Sequence, residues 1–194
     1  CDLLVTETTF GLPIYRWPDP QEIAKDIDTW WAENQEAGIN SVLLGYSLGK
    51  AQRLLAMLNP DRGPIYVHGA ILPFLPFYRE AGIQLPYTHT LKPEVFKREA
   101  GKAVLVVSPA AFKPGLRAKV GSVRTGFASG WTLLTTGKNR RNFDRGFPVS
   151  DHVDWPELLQ TVKDCSPEEI WATHGYTEEV CRYFKDKGYR TRKV

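Results

Sequence analysis

Sulphur is scarce in this chain, with three cysteines and one methionine among 194 residues. Cys1, Cys165 and Cys181 include no Cys-x-x-Cys pair, and an odd number cannot all be bridged. That argues against a disulfide framework and a cysteine-type zinc site, and makes a reducing cytoplasm the expected location. Long apolar runs are missing too. None approaches the roughly 20 residues a membrane helix needs, so neither a spanning segment nor a membrane partner is expected. The opening CDLLVTETTF has no basic leader and no starting Met, which reads as a chain cut from a longer protein. No internal repeat or low-complexity tract is present. Acids nearly vanish between Ala110 and Gly146, where Asp144 alone faces Lys113, Arg117, Lys119, Arg124, Lys138, Arg140, Arg141 and Arg145. The overall charge is only +3, so the remainder is net acidic. A concentrated positive segment is the footprint of a polyanion site, or else a solvated basic face.

What is there suffices for one good core or two small ones, at 42% hydrophobic. Strand and helix signals alternate. LLVTE is a short apolar run ending in polar residues, and GLPIYRWPDP is a turn-rich break. A helix is predicted over Ile23 to Ala37, with Pro20 ahead of it and Gly38 as the stop. SVLLGY, PIYVHG, AVLVVSP and VRTGFAS read as strands. Helices are expected at Gly49 to Leu58 and Leu72 to Ala81. A basic loop, LLTTGKNRRNFDRG, leads to an extended FPVS. Then come a helix from Trp155 to Lys163, a strand IWATH, a helix from Thr177 to Lys187, and an edge strand YRTRKV. Strands joined by helices imply an α/β fold with a largely parallel sheet, whose ligands gather at the carboxyl ends of the strands.

Several residues capable of chemistry fall at those ends. Glu7 closes LLVTE and can hold a water, a metal or a histidine, or simply cap the next turn. GYSLGKAQRLL runs from a strand through Ser47, Gly49 and Lys50 into a helix, whose free N–H groups and positive dipole end suit a phosphate. It lacks the GxxxxGK[ST] spacing of a nucleotide P-loop, and Ser47 serves equally well as a helix cap. In SDHVDWPELL, Asp154 and Glu157 have capping-box spacing, and Pro156 suits a first turn. His152 precedes that helix, as a general acid, a phosphate donor or an ordinary surface residue. His174 ends IWATHG, where a strand terminus can hold a metal ligand rigidly, but one histidine makes no metal site. His68 and His89 show no ligand spacing. In FASGW, Ser129 and Gly130 permit close backbone approach, or form a plain turn.

Taken together and in order, LLVTETTFG, FPVSDHVDW and WATHG resemble three motifs of the β-CASP group of metallo-β-lactamase-fold nucleases. Within that group the resemblance runs to the bacterial ligase-associated DNA exonucleases and mRNA 3′-end processing factor-like proteins. GYSLGKAQRLL resembles a helix start inside the inserted β-CASP domain, and FASGW with the basic run resembles the approach to the second motif. The resemblance implies an α/β fold: the C-terminal part of a metallo-β-lactamase αββα fold with an inserted parallel-sheet β-CASP domain. Residues 1–15 and 146–194 are then lactamase-fold segments, and residues 16–145 form the insertion. The family's His-x-His-x-Asp-His motif is absent, so most metal ligands are expected upstream of Cys1, in an N-terminal half of the same protein.

The implied activity is hydrolysis of phosphodiester bonds in nucleic acid by two divalent metals, zinc first and manganese as the alternative. DNA is the favoured polymer and RNA the alternative. A DNA exonuclease linked to repair follows, with DNA ligase and helicase as functional partners and the present chain inactive alone. His174 would ligate a metal. His152 would steady the phosphate or protonate the leaving oxygen, and Glu7 would orient His152 or the water. Ser47, Gly49, Lys50, Ser129, Gly130, Arg140 and Arg141 would hold phosphates, with stacking on Trp131. The rivals are an RNA-processing β-CASP ribonuclease, a non-catalytic nucleic-acid-binding module, a small-molecule hydrolase of lactamase fold and, most weakly, a cysteine-nucleophile enzyme.

Overall fold

The computed structural model describes residues 1–134 and 143–194. Lys138, Arg140 and Arg141 lie outside the described residues. The chain divides into two compact units, residues 1–17 with 151–194, and residues 18–150. Both are α/β, with parallel strands throughout. No described helix is long and apolar enough to cross a membrane.

The first unit holds β1 (Leu3–Thr8), α6 (Trp155–Cys165), β8 (Glu169–Gly175), α7 (Thr177–Asp186) and β9 (Arg190–Lys193). Its three strands lie in the order β1-β8-β9. Along β8, Ile170 and Ala172 point inward and meet Trp155, Leu158 and Val162 of α6 and Val180 and Phe184 of α7. Both helices present one apolar stripe, as the 3.6-residue period requires. Asp154 caps α6 by accepting from the Glu157 N–H at 3.0 Å, the bond its spacing predicts. Cys165 and Cys181 sit half-buried on α6 and α7, and all three cysteines are free thiols.

The second unit holds α1 (Pro20–Glu36), β2 (Asn40–Leu44), α2 (Lys50–Met57), β3 (Ile65–Val67), α3 (Leu75–Glu80), β4 (His89–Thr90), α4 (Pro93–Arg98), β5 (Val104–Val107), α5 (Pro114–Val120), β6 (Val123–Ala128) and β7 (Arg145–Phe147). Its six described strands run in the order β4-β3-β5-β2-β6-β7. Apolar residues cover both faces, because successive side chains of a strand alternate. Leu43, Val104, Val106, Ile65 and Val67 face the layer of α1, α2 and α3. Val42, Leu44, Leu105, Val107 and Tyr66 face Phe96 of α4 and Val120 of α5. Asn40 is 4% exposed and fully used: its amide donates to the Phe96 carbonyl at 2.7 Å and accepts from the Gly101 N–H at 2.8 Å.

Four details correct the expectations. Helix α1 starts at Pro20, inside the helix rather than ahead of it, because Asp19 caps it through the Gln21 N–H at 2.7 Å. Leu72 to Ala81 is a 3-10 turn (Leu72–Phe74) followed by α3, with Pro73 and Pro76 at the first turn of each. His89 belongs to a two-residue edge strand that is not among the strands expected from sequence. The strand near FPVS is Arg145–Phe147, beginning two residues earlier, where it pairs with Gly126–Ala128 of β6.

Candidate functional site

At the carboxyl end of the first unit's sheet, the β1–β8 ladder runs in register until Glu7 pairs with Thr173, and then Thr8 pairs with Gly175. His174 is the extra residue, a bulge on β8. Its backbone is left-handed, φ 55°, a conformation uncommon outside glycine. Thr8 staples the bulge. Its hydroxyl donates to the His174 carbonyl, and its own carbonyl accepts from the N–H groups of Gly11 and Tyr176, both at 3.0 Å. Gly175, at φ 74°, completes the turn; a Cβ there would lie 2.4 Å from the Thr8 carbonyl oxygen. His174 is exposed, and its Nδ1 faces the Thr173 hydroxyl at 2.9 Å, which directs Nε2 away from that partner.

Glu7 and His152 come together. Nδ1 of His152 lies 3.2 Å from Oε1 of Glu7, with both side chains part-exposed. The other oxygen, Oε2, accepts from the Thr9 N–H at 2.7 Å. Partial burial works against the Glu7 charge, but hydrogen bonds from the Thr9 hydroxyl and N–H and from His152 outweigh it, so the carboxylate is held below its ordinary range. His152 is positioned by two aromatic residues. The Phe10 ring meets it edge-on at 5.8 Å, and the Trp17 indole N–H donates to its backbone carbonyl at 2.9 Å. Trp17 is fixed in turn, its backbone N–H donating to Oδ2 of Asp154 at 2.8 Å. A histidine backed at Nδ1 by a carboxylate presents Nε2 as a proton donor or acceptor, the arrangement of general acid–base catalysis.

Thr8, Thr9, Phe10 and Trp17 support this site and were not singled out from sequence. Thr9 had little signal, because the 2.7 Å bond it gives Glu7 comes from its backbone N–H, which any residue but proline carries. Trp17 had none, since its partners lie far along the chain.

In the second unit, Leu44 of β2 pairs with Phe127 of β6, so the loops after both strands leave neighbouring carboxyl ends. Ser47, Gly49 and Lys50 lie on one, Ser129 and Gly130 on the other. The cap of α2 is Gly49, at φ 80°, not Ser47, and no side chain caps this helix. The Lys50 and Ala51 N–H groups donate to Leu48 and Tyr46 carbonyls at 3.1 and 2.9 Å, so loop carbonyls already occupy donors that a phosphate would use. Lys50 is 5% exposed, with its ammonium 5.0 Å from the Tyr46 ring centre. The Ser129 N–H donates to the Phe147 carbonyl at 3.1 Å. Trp131 is half exposed. Arg140 and Arg141 lie outside the described residues.

Among the described residues, no three His, Cys, Asp or Glu side chains are grouped to hold a metal ion. His174 is therefore not one of three such donors, and the described side chains do not by themselves make up a metal centre.

No protein-family model matches the chain. Over 187 residues, 96% of its length, it is 28% identical to a protein of Opitutus terrae named "Probable DNA ligase". The chain spans 18% of that protein's length.

Proposed function

We propose that this chain carries the acid–base pair and one metal-ligand position of a metal-dependent nuclease of the β-CASP group. One observation carries the reading: Glu7 and His152 meet at 3.2 Å, and Glu7 sits opposite Thr173, beside the strained His174 bulge. Strain held at a polar, exposed residue marks a place where geometry serves chemistry rather than packing. The reading assigns the remaining ligands of a zinc pair, with manganese as the alternative, to sequence outside these residues.

The chain's own groups have definite tasks. Glu7 accepts a hydrogen bond from Nδ1 of His152, which leaves the second proton of the acid form on Nε2. Nε2 then hydrogen-bonds a phosphate oxygen or gives its proton to the leaving oxygen. Thr9 and Trp17 keep that pair from turning. His174, its Nδ1 occupied by Thr173, offers Nε2 as a ligand.

DNA is the proposed polymer, supported by the name of the longer Opitutus terrae protein that contains a stretch similar to this chain. A DNA exonuclease working beside ligase, and helicase, in repair fits that setting. The match covers 18% of that protein, so ligation itself is not assigned to this chain.

The test uses protein carrying the complete ligand set and a labelled DNA strand. His152→Ala keeps bound metal and loses at least about a hundredfold in cleavage rate. His174→Ala loses metal, read by elemental analysis, together with cleavage. Wild-type rates in both variants would sink the reading.

A further inference from the structure

Far along the chain from the catalytic pair, β3 and β4 pair Tyr66 with His89, which puts both rings on one face at 5.2 Å between centres. Tyr87 meets the His89 ring edge-on at 5.0 Å. The three surround a hollow of about 400 Å³, bordered also by Lys92 and Val95 at the start of α4. Tyr66 is the floor. It is 5% exposed, and its hydroxyl is anchored on Glu99 at 2.7 Å. Tyr87 is the opposite case, an aromatic side chain held 77% exposed. It also borders a second hollow, of about 450 Å³, that includes Leu85 and Arg79. One aromatic ring thus stands between two hollows, each with a cation on its rim.

The charge around the first hollow is mainly positive, with Glu94 as the exposed acid of α4. Helices α4 and α5 pack together. They carry Lys97, Arg98, Arg117 and Lys119 in exposed positions, with Lys113 just before α5. No acid occurs between Glu99 and Asp144, and Glu99 itself is engaged by Tyr66. Rings with open faces beside a basic track are what an unpaired strand requires, because every base has a face to stack and every linkage a charge to neutralise. A duplex keeps its bases stacked on each other and has none to offer.

We propose that the hollow formed by Tyr66, Tyr87 and His89 is a stacking subsite for an unpaired nucleobase, with Lys92 and the basic α4–α5 face holding the flanking phosphates. The inference rests on nucleic acid being the substrate and narrows it to single strands.

The experiment measures binding, with metal chelated so that no cleavage contributes. Fluorescence anisotropy compares a thymidine oligonucleotide of about ten nucleotides with a blunt duplex of the same length. The single strand is expected to bind more tightly. Tyr87→Ala lowers its affinity roughly tenfold while leaving the salt dependence alone, and Tyr87→Trp restores it. Lys92→Ala and Lys97→Ala each flatten the salt dependence, by about 0.7 in the log–log slope for each phosphate no longer neutralised. Tyr87 is exposed, so its replacement leaves the fold intact, and circular dichroism checks this. The proposal is overturned if Tyr87→Ala binds like wild type, if the duplex binds as well as the single strand, or if neither binds. Binding that depends on Tyr87 in a protein whose His152→Ala variant still cuts normally would keep this subsite and remove the catalytic assignment.

Discussion

Glu7 touches His152 through Oε1 while Oε2 is held by the backbone of Thr9, so one carboxylate both anchors its own loop and fixes the histidine ring. The same contacts make Glu7 a more willing anion in the folded protein.

Glu7→Gln keeps the shape and removes the charge. Cleavage by the complete enzyme should fall about tenfold or more, with bound metal unchanged. A pH effect accompanies this. Because the folded carboxylate titrates below its ordinary 4.5, its contribution to stability is present above that pH and fades as acid carries the protein through the lower folded value. Urea melts should show wild type more stable than Glu7→Gln at neutral pH, with the gap closing in acid. A gap that widens in acid would contradict the assignment.

Gly175→Ala forces a side chain into a left-handed backbone and against the Thr8 carbonyl. Strain of that kind costs about 1–3 kcal/mol before the overlap is counted. The urea midpoint should drop accordingly, and the His174 ring should shift, which its NMR signals would report. An unchanged midpoint would mean that the bulge is loosely held.

Asn40→Ala removes an amide that serves the Phe96 carbonyl and the Gly101 N–H in a buried place. Leaving such groups without partners costs about 1–3 kcal/mol each. Chemical denaturation should show a loss of that order, far above the few tenths expected of a surface site.

Two phenols should resist alkali. Burial first, and then hydrogen bonding to Tyr176 or Glu99, pushes Tyr15 and Tyr66 each up to about 12. Since their folded values are raised, the stability they contribute is complete below the ordinary 10 and is lost as pH climbs towards 12. Ultraviolet titration of Tyr66→Phe should lose one late-ionising phenolate relative to wild type. A spectrum unchanged in that range would refute the Tyr66 assignment.

Much of this was written in local pattern. The apolar runs of β2 and β5 are buried on both faces, so they are uninterrupted and easy to read. The Asp154–Glu157 spacing foretold a cap that is made. Helices α4 and α5 escaped notice because they are short, start at proline, and bury only Phe96 and Val120 respectively, too few residues to set a period. Glu7, His152 and His174 stand out by residue type and strand-end position, which sequence supplies. The bulge that displaces His174, the Trp17 bond behind His152 and the pairing of Tyr66 with His89 depend on long-range register, which local pattern does not encode. The Ser47 cap failed for a local reason: Gly49 reaches a backbone conformation that ends the loop two residues later.

The pairing of β1 with β8 also sets an order of assembly. Residues 18–150 form a continuous stretch with its own sheet, and they leave the ribosome in one piece. Strand β1 emerges before them, and its partner among the described residues, Glu169–Gly175, emerges after them. The β1–β8 pairing that sets Glu7 beside the bulged His174 therefore forms only after residues 18–150 have been made.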